Sequence, residues 1–442
     1  MHWQAQDQMN ARSSPSSGFE APLQIKPSGS RRWFVCILLF ALVALSYIDR
    51  QVLSVLKLTL QKDYRWSETG YGEVAFWFQA AYGVGYIVFG RIIDRVGARI
   101  GGALAVGLWT VGHIAHVFVT TTAGFALVRI PLALGEAGTF PAALAAVAEW
   151  FPRRERAFAI GLFNAGSNVG AILAPLMVPA ITLAYGWRMA FIVTGALTAV
   201  WLVVWIAFYR RPRESNNISS AELAFIESDP EPASAPVAWS RLFATRETWA
   251  YISGRFLIDP IWWTFLFWLP DFFGRRYGID LRSYGPPLVG IYLLADLGSI
   301  LGGWGSSSIL TRGFSLNLSR KSAMFVCALA ALPVAGAMYA PNQWVAVGLI
   351  GLACAGHQGF SVNLSALPSD LFPRATVGSV VGLGGAAGAL GSMLMAEYAG
   401  WVLQTVGSYT PIFIVAACAY LLALLVIHLI TPNYAPVVAI AA

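Results

Sequence analysis

YIDR (47–50), at the end of the first long apolar run, and RIPLALGEAGTFPAA (129–143), inside the fourth, decide how this chain reads. They place Asp49, Arg50, Arg129 and Glu136 within segments otherwise apolar enough to lie in a membrane. An ionised side chain at the centre of a bilayer costs at least about 2.5–3.5 kcal/mol, so such residues face a polar cavity and one another. Two carboxylates and two guanidiniums in that setting predict a route for an anion and a proton.

The remainder of the chain fits a membrane setting. Its 442 residues are 57% hydrophobic and 12% charged, with a mean hydropathy of +0.62, which excludes a soluble globule. A hydrocarbon core about 30 Å thick needs about 20 apolar residues per helix. That length gives twelve expected spans, at about 33–56, 70–92, 101–119, 122–149, 156–183, 187–209, 249–274, 284–310, 321–340, 343–368, 376–402 and 408–431. The 43 glycines and 23 prolines suit membrane helices, where small residues allow close approach and kinks are tolerated. The expected fold is all-α and integral to the membrane, with twelve transmembrane helices in two six-helix bundles.

Residues 31–209 form the first expected bundle and 249–431 the second, joined by a polar linker over 210–248. The linker carries Glu214, Glu222, Glu227, Asp229 and Glu231, with too few apolar residues to bury a core of its own. The tail over 1–30 is polar, includes a Ser-Ser-Pro-Ser-Ser run, and is expected to be disordered; a second tail covers 432–442. The apolar run after Arg32 is too long for a cleavable signal and lacks an Ala-x-Ala exit. Cys36, Cys327, Cys354 and Cys418 fall in apolar spans at no metal-like spacing and read as small core residues.

Basic residues alternate between loops. Arg12, Lys26, Arg31 and Arg32, then Arg91, Arg95 and Arg99, then Arg153, Arg154 and Arg156, then Arg210, Arg211 and Arg213 lie on one side. Arg241, Arg246, Arg312, Arg320, Lys321 and Arg374 continue it, against Lys57, Lys62, Arg65, Arg188, Arg275, Arg276 and Arg282 opposite. The bias predicts an inner-membrane protein with both termini cytoplasmic. It also accounts for the net charge of +7 without any nucleic-acid partner.

Two further features carry chemistry. GRIIDRVGAR (90–99) sits between the second and third spans, with Gly90, Asp94, Arg95, Gly97 and Arg99 spaced as a tight turn and a charged latch. Asp94 is placed to meet a neighbouring helix N-terminus. Six plus six spans around one midplane site is the layout of a transporter built from two helical repeats. With this loop signature the chain resembles the major facilitator superfamily. The counterpart after the eighth span keeps Gly303 and Arg312 but lacks the acid, so that half has the weaker latch.

SYIDR (46–50), GEAGTFPAALAAVAEWFPRRERA (135–157), GLFNAGSNVGAILAP (161–175) and GWRMAFIVTGALTAVWLVVW (186–205) look like the anion:cation symporter family, and within it the hexuronate transporter group. GRFLIDPIWWTFLFWLPDFF (254–273), IYLLADLGSILGGW (291–304) and GHQGFSVNLSALPSDLFPRATVGSVVGLGG (356–385) extend the likeness over nearly the whole chain. It implies proton coupling at Asp49 and Glu136, a sugar acid held by Arg50, and further binding residues at Tyr82 and near Ser167.

The residues have their own logic. Adjacent helix positions diverge by about 100°, so only one of Asp49 and Arg50 faces the cavity. Arg129 and Glu136, nearly two turns apart, share one face, and Gly135 and Gly138 let other helices approach there. An Asp49–Arg129 pair is expected, leaving Arg50 for a carboxylate. The alternative is a buried four-charge lock that only holds helices together. Tyr47, Tyr82, Asn164, Ser167 and Asn168 supply hydrogen bonds for a polyol, or else glue helices together. His357, Gln358 and Ser361 form the polar wall of the second half, with Asn363 nearby.

Arg255 and Asp259 read as a local ion pair, whereas Asp296 and Glu397 have no assigned role. Trp262 and Trp263 could stack on a sugar ring or pack in the bilayer.

No Walker loop, metal spacing or nucleophile elbow is present, so no enzyme, cofactor or metal is expected. The expectation is a monomeric proton-coupled importer of a sugar acid, most closely a hexuronate, working by alternating access. Rivals are a symporter of another carboxylate (aldonate, aldarate or aromatic acid), an organophosphate/phosphate antiporter and, least favoured, a non-transporting membrane sensor.

Overall fold

In the membrane the backbone must satisfy its own hydrogen bonds, and every described element here is a helix or a helical turn. The structure is a computed structural model that describes residues 29–215, 218–228, 239–372, 374–435 and 437. The tail expected to be disordered lies almost wholly outside the described residues.

The first half runs through α1 (Arg31–Tyr64), α2 (Glu68–Ala115), α3 (Thr122–Ala137), α4 (Thr139–Trp150), α5 (Arg153–Asn164), α6 (Gly166–Tyr185) and α7 (Trp187–Phe208). Two short helices, α8 (Ser220–Ile226) and α9 (Trp239–Phe243), follow. The second half comprises α10 (Arg246–Tyr277), α11 (Gly285–Thr311), α12 (Leu316–Ala331), α13 (Gln343–Leu371), α14 (Arg374–Thr405) and α15 (Thr410–Ile430).

Ten helical stretches among the described residues are long and apolar enough to cross a membrane. The second of them, Glu68–Phe118, contains two passages that meet at Gly97. The twelfth passage is α10, whose apolar run is broken by Arg255, Asp259 and Asp271. α3 with α4 and α5 with α6 each form one passage, broken at Gly138 and Ala165.

Gly97 has φ +80°, a left-handed conformation that carries the chain from one passage into the next and that few residues other than Gly adopt readily. A Cβ there would also lie 2.8 Å from the Arg211 guanidinium. The turn is pinned from α7: Arg99 Nη2 donates to the Ile206 carbonyl at 3.2 Å, and Trp205 Nε1 donates to the Arg99 carbonyl at 3.1 Å. Asp94 is exposed and makes no ion pair among the described residues.

Contacts run mainly within each half, and the halves meet where α14 packs on α2, α10 on α1 and α11 on α6. Arg31 and Thr431 mark the near face; Arg65 and Tyr277 mark the far face. On the near face the linker is more than a tether. Phe225 and Ile226 of α8 are buried, and Glu222 accepts from the backbone nitrogen of Arg32 at 3.1 Å and from its guanidinium at 3.3 Å. Large apolar side chains such as Val111, Leu127, Val203, Ile300 and Leu429 are exposed on the rim, where lipid would cover them. Cys418 is also exposed there, so it is not the core residue expected; Cys36 and Cys354 are buried.

Candidate functional site

A cavity of about 520 Å³ lies between the two halves. α1 contributes Ser46, Tyr47 and Arg50; α2 contributes Gln79, Tyr82 and Tyr86; α3 and α4 contribute Glu136 and Thr139. The second half faces them with Arg255, Asp259, Trp262 and Trp263 from α10, and His357, Gln358, Ser361 and Ser365 from α13. Asn164, Ser167 and Asn168 complete the wall at the junction of α5 and α6. All nine residues expected to bind substrate line this one cavity.

Arg50 is its electrostatic centre. The guanidinium is buried, with Nη2 2.9 Å and Nε 3.0 Å from Glu136 Oε2. Nη2 also donates to the Tyr82 hydroxyl at 3.2 Å. The cation lies 4.5 Å from the Trp263 ring centre and 4.9 Å from that of Tyr47, an aromatic cradle that favours positive charge. Close approach of α2 to α3 makes this possible. At Gly135, beside Glu136, a Cβ would stand 2.4 Å from the Ala105 carbonyl oxygen, so only hydrogen fits.

Asp49 and Arg50 diverge as helix geometry requires, but the expected Asp49–Arg129 pair is not formed. Asp49 turns away from the cavity toward α2 and α7. Its Oδ2 accepts from Thr198 Oγ1 at 2.8 Å and Trp109 Nε1 at 3.0 Å, and Oδ1 lies 3.4 Å from His113 Nε2. Neutral donors thus meet Oδ2 in place of a cation. Arg129 is fully buried with its carbon Cζ 4.6 Å from the Phe78 ring centre and 5.8 Å from that of Phe267. Its Nε and Nη1 have no hydrogen-bond partner among the described residues. Facing rings stabilise a cation by about 0.5–2 kcal/mol, less than desolvating it costs, so Arg129 is poised for a partner.

Gln79 escaped the sequence reading. It is buried in the cavity wall, three residues before Tyr82 on the same face of α2, and both its amide atoms lack partners among the described residues. Glu136 Oε1 and Thr139 Oγ1 are likewise unpartnered. The spacing from Tyr82 was the available signal.

In the second half Arg255 pairs with Asp259 at 3.2 Å, as expected, but the pair also faces the cavity. Arg255 Nη1 donates to Ser361 Oγ at 3.3 Å, and Nη2 donates to Ser365. His357 shares a 3.0 Å hydrogen bond with the Tyr420 hydroxyl and stacks on Trp262 at 5.1 Å. Asn363 is buried against α11, donating to the Gly302 carbonyl at 3.0 Å. Asp296 is half-buried and Glu397 exposed, neither in an ion pair among the described residues.

The cavity reaches toward the near face, where Ser365 is exposed, and is sealed on the far side. Ser54 Oγ donates to the Leu266 carbonyl at 2.7 Å and the Tyr71 hydroxyl to the Phe267 carbonyl at 2.9 Å, both across the halves. Beyond them Lys57, wholly buried, bridges Glu68 at 2.8 Å and Asp271 at 3.0 Å. Arg275 pairs with the same two carboxylates, and Tyr409 donates to Asp271. Sequence reading placed Lys57 among the loop charges of the far side. Burial between two acids from opposite halves is a property of the assembled helices alone.

Twelve passages in two halves around one polar cavity define a multi-pass membrane protein of the transporter class. The chain belongs to the major facilitator superfamily, whose sequence pattern matches residues 39–319. It is 33% identical to the hexuronate transporter of Escherichia coli (strain K12) over 409 residues, 91% of this chain and 94% of that one. It is 34% identical to the galacturonate transporter of Dickeya chrysanthemi, over 67% of this chain and 88% of the relative. The crystal structure of a bacterial homolog of the human lysosomal transporter Spinster, 18% identical, shares the fold with a TM-score of 0.69 over 92% of this chain and 97% of its own.

Proposed function

We propose that this protein is a proton-coupled symporter that imports a sugar acid, most closely a hexuronate, across the inner membrane by alternating access, with both termini cytoplasmic. The observation that carries the reading is the wall around Arg50: one cation held by one protonatable acid, beside the unpartnered polar atoms of Gln79 and Thr139. Unmet hydrogen-bonding groups in a cavity favour a ligand rich in hydroxyls, and a buried guanidinium favours a carboxylate. Relatives named for hexuronate and galacturonate support the same class.

The mechanism follows from the pair. Protonation of Glu136 from the far side removes its charge and releases Arg50, which takes the substrate carboxylate through its planar fork. Rocking of the halves then exposes the site to the near face. Loss of the proton there restores Glu136, which competes for Arg50 and expels the anion. Asp49 is the second proton carrier, held behind the cavity.

A second reading, symport of a sugar diacid, is favoured by one observation: Arg255 with Ser361 and Ser365 gives the opposite wall its own anion-binding groups. Uptake of labelled glucuronate, galacturonate, aldonates and aldarates into proteoliposomes with an imposed pH gradient tests both. Uptake that ignores the pH gradient and requires sodium overturns proton coupling. Preference for the diacid selects the second reading.

A further inference from the structure

Behind the cavity, Asp49 meets a column of imidazoles that the mechanism above does not use. His113 lies near the end of the second passage of α2 and His116 opens the helical turn that follows it, His116–Phe118, both with no exposed surface. The hydrogen bonds fix their tautomers. His116 Nδ1 lies 2.9 Å from the Gly112 carbonyl and 3.1 Å from that of His113; carbonyls only accept, so Nδ1 carries the hydrogen and Nε2 is bare. Thr194 Oγ1 donates its one hydrogen to the Ala190 carbonyl at 3.0 Å, so it accepts from His113 Nε2 at 2.8 Å. His113 therefore carries its hydrogen on Nε2, the nitrogen 3.4 Å from Asp49 Oδ1, and Nδ1 is bare.

Three buried atoms in this column have no hydrogen-bond partner among the described residues: Asp49 Oδ1, His113 Nδ1 and His116 Nε2. Such atoms in a buried polar cluster call for an explanation, and here each is a proton acceptor, in sequence from the midplane toward the far face. The titratable or charged groups around His113 are Asp49 from α1, His116 from the turn after α2 and Arg129 from α3; α7 presents only Thr194 and Thr198.

We infer that His113 is the residue through which Asp49 exchanges its proton with the far side, with His116 standing outward of it. A proton from far-side hydronium binds His113 Nδ1, the Nε2–H bond breaks and its proton forms O–H at Asp49 Oδ1. His113 ends neutral as the Nδ1–H tautomer, and the reverse step returns the proton. This role rests on the symporter reading of the cavity. It makes His113 a coupling residue remote from the substrate, acting through Asp49.

His113→Gln tests it, because a glutamine amide can still donate to Thr194 and Asp49 but cannot pass a proton from one atom to another. The expected result in proteoliposomes is a loss of about tenfold or more in pH-gradient-driven glucuronate uptake, the scale on which a positioned proton carrier acts. Glucuronate counterflow without a pH gradient, which needs no net proton movement, stays close to wild type. Adding Asp49→Asn to His113→Gln produces no further loss of driven uptake beyond Asp49→Asn alone. Driven uptake equal to wild type overturns the role, and so does an equal fall in driven uptake and counterflow, which marks a structural part only. If His113→Gln does not fold, His113→Asn, a smaller neutral amide that also cannot relay a proton, decides by the same two assays. Wild type that shows no pH-driven uptake overturns the symporter reading and this role together; driven wild type with a fully driven His113→Gln overturns this role alone.

Discussion

Arg50 and Glu136 form a buried ion pair in the cavity wall, Nη2 to Oε2 2.9 Å apart, with Glu136 Oε1 left unpartnered among the described residues. The arrangement links charge on the acid to availability of the cation. A buried pair gains its attraction only while both charges persist, so protonating the acid frees the guanidinium.

Glu136→Gln is expected to retain glucuronate exchange across the membrane while losing accumulation. Each proton moved with a substrate down a gradient of one pH unit supports about tenfold accumulation, so losing the proton that Glu136 carries lowers accumulation by about tenfold. Counterflow and driven uptake measured on the same vesicles separate the outcomes. Full driven accumulation by the variant removes Glu136 from coupling.

Arg50→Ala should weaken hexuronate binding by about a hundredfold or more, since removing one partner from a buried charge pair costs about 3–5 kcal/mol. Arg50→Lys should also bind poorly, because a compact ammonium cannot match the carboxylate with two parallel bonds. Calorimetry on purified protein checks both. A neutral parent sugar that binds as tightly as the acid leaves Arg50 without this role.

Helix count, the grouping of polar residues around one cavity and the divergence of Asp49 from Arg50 were legible from hydropathy and helical period. The pairing of the charges was not. Arg129 and Asp49 lie on different helices, and sequence gives no rotation of one about the other; the fold puts Phe78 and Phe267 over Arg129 and gives Asp49 to Trp109 and Thr198. Gln79 was missed because a lone amide in an apolar run reads as ordinary helix glue until its neighbours are known. Lys57 was missed because a cation near a helix end reads as a topology signal.

Gln79→Leu is expected to discriminate by hydroxyl content. The side chain keeps about the same volume but loses an amide that can meet ligand hydroxyls, a loss of about 1 kcal/mol or roughly fivefold in affinity for a hexuronate. An acid without hydroxyls should bind the variant and wild type alike. Equal binding of glucuronate by both forms shows that Gln79 does not touch the substrate.

Lys57→Ala should loosen the far-side seal. Lys57 is the buried cation between Glu68 of the first half and Asp271 of the second, and without it Arg275 alone must compensate two acids held close together. Exposing that end to water relieves the repulsion, so the variant should favour states in which the halves part there. Ser54 lies beneath the seal, with its hydroxyl bonded across the halves to Leu266, and reports on it directly. In a Ser54→Cys background, an impermeant maleimide added from the far side should label Lys57→Ala about tenfold faster than Lys57, a shift of roughly 1.4 kcal/mol in the opening equilibrium. Lys57→Ala combined with Asp271→Asn should slow labelling again, because one of the opposed charges is gone. Labelling that is unchanged by either substitution would mean that the apolar packing of Tyr71, Phe267 and Trp268 closes the far side and the ions only decorate it.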